Sequence, residues 1–251
     1  MPDSKCLIDV IMNRASVRRY APEDVSDELI ETLLRAGQQA PFSGQMYSVI
    51  VTRDRAKREQ AARVLGPLAL AAPVLMLLCA DLRRGERAAG IGPARPDDLT
   101  LLTIAALDLA FFSENIVIAA ESLGLRSVYL GGASRKAGAP ETLCGIFSIP
   151  ERVFPFLGLA LGYPGETPAP RPRLPLGNVL HWEVYRDAPG EELEAGAEQM
   201  TQGLNRESYY SGQGVGRDQS YGYREHFAMK YGQRWKSTGL REALAKQGIT
   251  V

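Results

Sequence analysis

The chain has 251 residues, 45% of them hydrophobic, and its 29 lysines and arginines are matched by 29 aspartates and glutamates. That length suits one globular domain with an appendage, and a formal charge of zero leaves no overall field to recruit nucleic acid or an anionic membrane. With two histidines, His181 and His226, outside any metal-ligand pattern, and three cysteines, Cys6, Cys79 and Cys144, outside CxxC spacing, a metalloenzyme, a Ser-His hydrolase and a disulfide scaffold are excluded.

In chain order, Leu7 to Asn13 carries apolar residues at helical spacing. Ser26-Asp27-Glu28-Leu29 opens a second helix with N-capping chemistry, which buries Leu29, Leu33, Leu34 and Ala40 until Pro41 stops it. The loop Pro41 to Met46 leads into a β-branched strand, Val49 to Thr52. Residues 54–65 read as a charged helix, Val74 to Ala80 as a buried strand, and residues 83–98 as a polar Gly/Pro-rich insert. Thr100 to Leu123 is apolar almost all round and suits a molecular centre or a subunit contact, with Gly124 to end it. Val128 to Leu130 is a strand running into Gly131-Gly132, and Phe154 to Gly162 is another, closed by Tyr163-Pro164. From about Arg186 the composition turns polar and Glu-rich, and a last helix near Ser237 or Thr238 buries Leu240 and Leu244 before Gly248. No signal peptide and no bilayer-spanning stretch is expected, and the thiols read as reduced groups of a cytoplasmic protein.

Two basic segments carry chemistry. Arg14, Ser16 and Arg18 alternate near the amino terminus, and Arg171 and Arg173 are held extended by Pro170, Pro172 and Pro175. Solvated faces would account for any one of these arginines. Converging forks would instead clamp a phosphate group. Gly131-Gly132 after a strand makes either a simple turn or a close backbone approach to a flat ligand. Ser43 and Gln45 serve either a helix end or a polar ligand. Gly212-Gln213-Gly214 has neither a preceding strand nor a βαβ unit around it, which excludes a Rossmann fingerprint.

The ordered set Arg14-Ala15-Ser16-Val17-Arg18-Arg19-Tyr20, the Ser43 loop, Cys79-Ala80-Asp81, Ala119 to Leu125, Val128 to Gly132, Leu159 to Pro164 and Arg171 to Pro175 resembles the FMN-dependent nitroreductases. Lys246-Gln247-Gly248 resembles the terminus of the branch that contains NADPH nitroreductases and NADPH-flavin oxidoreductases. The resemblance implies an α+β, three-layer fold with a central mixed sheet, a core over residues 1–185, and an extension over 186–251 that packs on a partner subunit near the nicotinamide site. It also implies an oxidoreductase in which FMN takes a hydride from NADPH or NADH and reduces a small acceptor, with ping-pong kinetics. By the same resemblance Arg14, Ala15, Ser16 and Arg18 hold the FMN phosphate, ribityl chain and N1/O2 edge, with Arg18 offsetting charge at that edge, and Arg171 and Arg173 complete the clamp. Ser43 and Gln45 contact FMN in part from the partner of a homodimer, and Leu130, Gly131 and Gly132 face N5 and O4. Arg217 resembles a position for the 2'-phosphate of NADPH, and Gly66 stands where the branch has a glutamine. The alternatives from other classes are a non-catalytic FMN or phosphoryl-ligand binding protein and a structural dimer.

Overall fold

In a computed structural model, described over residues 6–92, 97–206, 209, 221–233 and 239–251, the chain forms two compact units. The first comprises Met1–Ala169 and Thr238–Val251, and the second Pro170–Ser237. This division differs from one at residue 185, because the last helix belongs to the first unit and the proline-braced arginines to the second.

In the first unit, α1 (Leu7–Asn13) is followed by α2 (Asp27–Gln38), whose N-cap Ser26 accepts the Leu29 N–H at 3.2 Å. Next come β1 (Tyr47–Thr52), α3 (Arg55–Leu65), α4 (Leu68–Ala71) and β2 (Val74–Asp81). The expected polar insert is in part a helix, α5 (Leu82–Ala89), because the Asp81 carboxylate caps it by accepting the Arg84 N–H at 2.9 Å and Gly90 closes it at φ +66°. Then follow α6 (Leu99–Ser122), β3 (Arg126–Leu130), α7 (Gly132–Arg135), α8 (Ala139–Phe147) and β4 (Val153–Gly162).

The strands form one sheet in the order β1-β2-β4-β3. Where a mixed sheet is the expectation, all three described pairings are antiparallel. β2 is buried along its whole length because both sheet faces are covered. Val74, Met76 and Leu78 pack with Leu109, Phe112 and Ile116 of α6 and Leu33 of α2, while Leu75, Leu77 and Cys79 pack with Ala61, Ala133 and Leu143 of α3, α7 and α8. The result is three layers. Helices α2 and α6 approach so closely that a Cβ on Gly37 would lie 2.8 Å from the Phe112 ring, which fixes glycine there.

Helix α6 corrects a second expectation. Its 24 residues are long and apolar enough, by length and composition alone, to cross a bilayer. It nevertheless carries Asp108, Glu114 and Glu121, and its apolar side packs on the sheet.

The second unit holds a 3-10 turn (Leu176–Asn178), α9 (Gly190–Arg206), α10 (Tyr223–Phe227) and a π-helical run (Ala228–Gln233). The chain returns to the first unit as α11 (Leu240–Lys246), with Ala243 and Leu244 buried and Gly248 at φ +68°.

That return is fastened by a buried ionic cluster. Arg152, 7% exposed, donates to Asp98 at 2.6 and 2.8 Å, to Glu86 at 3.0 Å and to the Gly248 carbonyl at 2.6 Å. Its own N–H donates to the Gln247 carbonyl at 2.7 Å, and the Thr250 N–H donates to Asp98 at 3.0 Å. Hydrogen bonds from Asp98 and Glu86 hold the Arg152 pKa above its ordinary value. Breaking such a cluster from one side strands two buried carboxylates, so Arg152→Ala is expected to cost about 3–5 kcal/mol of unfolding free energy, read from urea midpoints.

Candidate functional site

The amino-terminal segment runs extended beside the sheet. The Val17 N–H donates to the Ser127 carbonyl of β3 at 3.1 Å, and Tyr20 bridges Pro164 just beyond β4. The Tyr20 hydroxyl donates to Val17 at 2.9 Å and to Ala160 at 3.2 Å, and burial pushes its pKa well above the ordinary phenol range. Along this stretch Ala15 and Val17 are buried, at 6% and 0% exposure, while Arg14, Ser16 and Arg18 are only half-buried. The period of two therefore presents the three polar side chains together.

Glu166 holds the backbone of this row. It accepts the N–H groups of Arg18 at 2.7 Å and Arg19 at 3.2 Å, and the Arg19 guanidinium at 2.9 Å. The Arg18 guanidinium donates to the Ser16 carbonyl at 3.3 Å. The side chains of Arg14 and Ser16 make no hydrogen bond or ion pair among the described residues. Arg14 does act on Tyr129 of β3, where burial raises the phenol pKa, a hydrogen bond to Ser113 at 3.0 Å opposes it, and the Arg14 charge opposes it further.

One residue beyond Tyr129, β3 ends at Leu130 and turns through Gly131 into α7. Gly131 has an ordinary φ of −69°, and a Cβ there would meet only the guanidinium of exposed Arg135, a flexible side chain free to move aside; the Arg135 Nε donates to the Gly131 carbonyl at 2.9 Å. Gly132 is the first residue of α7. The first unit thus brings Arg14, Ala15, Ser16 and Arg18 alongside the strand that carries Leu130, Gly131 and Gly132.

Ser43 and Gln45 lie elsewhere in the same unit, in the loop before β1. Its shape is set by Asp108 of α6, only 2% exposed, whose carboxylate accepts the N–H groups of Ser43 at 2.7 Å, Gly44 at 3.0 Å and Met46 at 3.2 Å. Gln45 takes φ +48°, and its carbonyl accepts from the Arg84 guanidinium, which also donates to the Tyr47 carbonyl at 3.0 Å. With the backbone groups engaged inward, the Ser43 and Gln45 side chains make no hydrogen bond among the described residues. Asp108 and Glu166 are not apparent in a motif search. The signal for Asp108 is a carboxylate set among apolar residues of α6; Glu166 has none.

Arg171 and Arg173 lie on the second unit. The Arg171 guanidinium stacks 4.4 Å from the Tyr209 ring, while Arg173 donates to the Arg171 carbonyl at 2.9 Å and the Pro172 carbonyl at 3.1 Å. Gln199 of α9 donates to the Arg173 carbonyl at 3.1 Å and holds the segment in place. A cavity of about 580 Å³ in this unit is lined by Arg171, Arg173, Tyr209, Tyr223, Phe227 and Lys230. Arg217 and the Gly212 loop lie outside the described residues. Gly66 caps α3 at φ +92°, a backbone that strains any side chain, which accounts for the absence of a glutamine there.

The profile of the nitroreductase family matches residues 11–74. An "FMN reductase [NAD(P)H]" of Bacillus subtilis (strain 168) is 30% identical over 255 residues, covering 98% of both chains. The chain belongs to the nitroreductase family. A second relative, the "NADPH-flavin oxidoreductase" of Vibrio harveyi, is 32% identical over 193 residues, 75% of this chain and 78% of that one. Among solved structures, that of the hypothetical oxidoreductase YcnD from Bacillus subtilis superposes with a TM-score of 0.86 at 29% identity, over 98% of both chains.

In this nitroreductase, burial works to raise the Glu166 pKa, but the bonds from Arg18 and Arg19 hold it below its ordinary 4.5. A carboxyl depressed in the folded state contributes stability above the unfolded pKa and loses it as pH falls through the folded one. Glu166→Gln is therefore expected to flatten the loss of thermal stability below about pH 4.5 relative to the parent, in melts taken across that range.

Proposed function

We propose that this nitroreductase is an FMN-dependent NAD(P)H oxidoreductase acting on nitroaromatics, quinones or free flavin. The observation that carries the reading is the end-to-end alignment with a relative named FMN reductase [NAD(P)H]. A purely binding role is disfavoured, since the aligned relatives of Bacillus subtilis and Vibrio harveyi both carry enzyme names.

The residues present fit the cofactor. A half-buried Arg14 that makes no ion pair among the described residues, next to a Ser16 hydroxyl unengaged among them, suits a phosphate and polyol better than a solvated face does. Bound FMN would supply the redox chemistry, taking a hydride from NADPH or NADH and returning the electrons to the acceptor. On this reading Arg14, Ala15 and Ser16 bind the ribityl phosphate, and Leu130, Gly131 and Gly132 present backbone groups to the ring edge. Arg217 would take the 2'-phosphate of NADPH. Arg18 offsets negative charge at the N1/O2 edge, so the Arg18→Ala enzyme should bleach anaerobically with NADPH at a reduction potential lower by on the order of 30 mV, about 1.4 kcal/mol for two electrons. A colourless protein that ignores added FMN would defeat the reading.

The placement of Ser43 and Gln45 supports a homodimer. Their loop leads into β1 at one edge of the sheet, whereas Gly131-Gly132 ends β3 at the other, three strand spacings or about 14 Å away. A flavin touching both would draw the Ser43 loop from a second copy. Exposed Leu7, Ile8, Ile11 and Met12 of α1 with Leu107 and Phe111 of α6 supply an apolar face for that copy. Unbridged Cys6, Cys79 and Cys144 support a reducing, cytoplasmic setting. If the site is shared, mixing inactive Arg14→Ala/Arg18→Ala protein with inactive Ser43→Ala/Gln45→Ala protein should restore about a quarter of parental activity, since half of a random population is heterodimer with one intact site of two.

A further inference from the structure

A cavity of about 440 Å³ opens at the β1–β2 side of the sheet, away from the β3 edge along which the amino-terminal segment runs. Its floor is apolar, formed by Ile50, Cys79, Phe147, Ile149 and Val153. Arg83, Arg84 and Arg87 of α5 stand at its margin, with Asp81 beside them.

These charges are not equivalent. Asp81 is buried and engaged, accepting the Ser48 hydroxyl at 2.5 Å and the Arg84 N–H at 2.9 Å. Arg84 is engaged as well, donating to the Gln45 and Tyr47 carbonyls and lying 4.0 Å from the Asp81 carboxylate. Arg83 and Arg87, one helical turn apart, make no side-chain hydrogen bond or ion pair among the described residues. The acidic residue between them, Glu86, is bonded to Arg152 in the buried cluster. Two like charges at i and i+4 repel one another, so an anion held between them relieves a local cost. Burial raises the Cys79 thiol pKa, which keeps the floor uncharged.

We propose that this cavity binds a small aromatic monocarboxylate, its ring on the floor against Phe147 and its carboxylate forked by Arg83 and Arg87. A bare anion would leave the apolar floor wet, and a neutral aromatic would leave the guanidinium pair without its anion. The site is independent of FMN, since none of its lining residues belongs to the proposed flavin set.

The test is isothermal titration of the FMN-loaded protein with 1-naphthoate. Binding at one site per chain is expected, with an affinity roughly tenfold lower in Arg83→Gln/Arg87→Gln and for the neutral probe 1-naphthalenemethanol. The double variant should keep the parent's flavin spectrum and melting temperature. Absence of binding, an affinity unchanged in the double variant, or displacement of 1-naphthoate by excess FMN would overturn the proposal. Competition by inorganic phosphate at equal concentration would also overturn it, because recognition would then be of charge alone.

Discussion

Burial of β2 on both faces is the constraint from which the rest follows. With every residue from Val74 to Asp81 enclosed, the middle of the sheet admits no polar chemistry that is not internally satisfied. Reactive and binding groups are displaced to strand ends, edges and the loops beyond them. The Arg14 row beside β3, the glycines after Leu130 and the Ser43 loop before β1 are all such places.

Those displaced elements are then held by carboxylates, one buried (Asp108) and one half-buried (Glu166). Asp108 reaches from α6 to three N–H groups of the Ser43 loop, and Glu166 gathers two N–H groups of the Arg18 stretch. Each uses one acid to fix a backbone, and the nearby Ser16, Ser43 and Gln45 side chains make no hydrogen bond among the described residues. A carboxylate in a dry setting suits this task because it accepts several N–H bonds at once. The same device in a larger form, Glu86 and Asp98 around Arg152, fastens the chain terminus.

Most of the layered fold was legible from local pattern. Ser26 as a cap, the continuous apolar run of β2, and the all-round apolarity of α6 each follow from periodicity over a short window. Helix α5 was obscured by Gly85 and three arginines within a few residues, although Asp81 carries a cap signal at its start. The antiparallel pairing depends on crossovers that no window spans. In the candidate site, residues of recognisable chemistry were readable, whereas Asp108 and Glu166 act across 62 or more positions in sequence. Arg152 likewise meets Gly248 across 96 positions.

The return of α11 to the first unit means that Pro170–Ser237 is tethered at both of its ends to one scaffold. A segment inserted in this way can lengthen, shorten or change composition while the scaffold keeps its own closure through Arg152. Diversification of the inserted segment can therefore proceed as cassette exchange, leaving the sheet under separate selection.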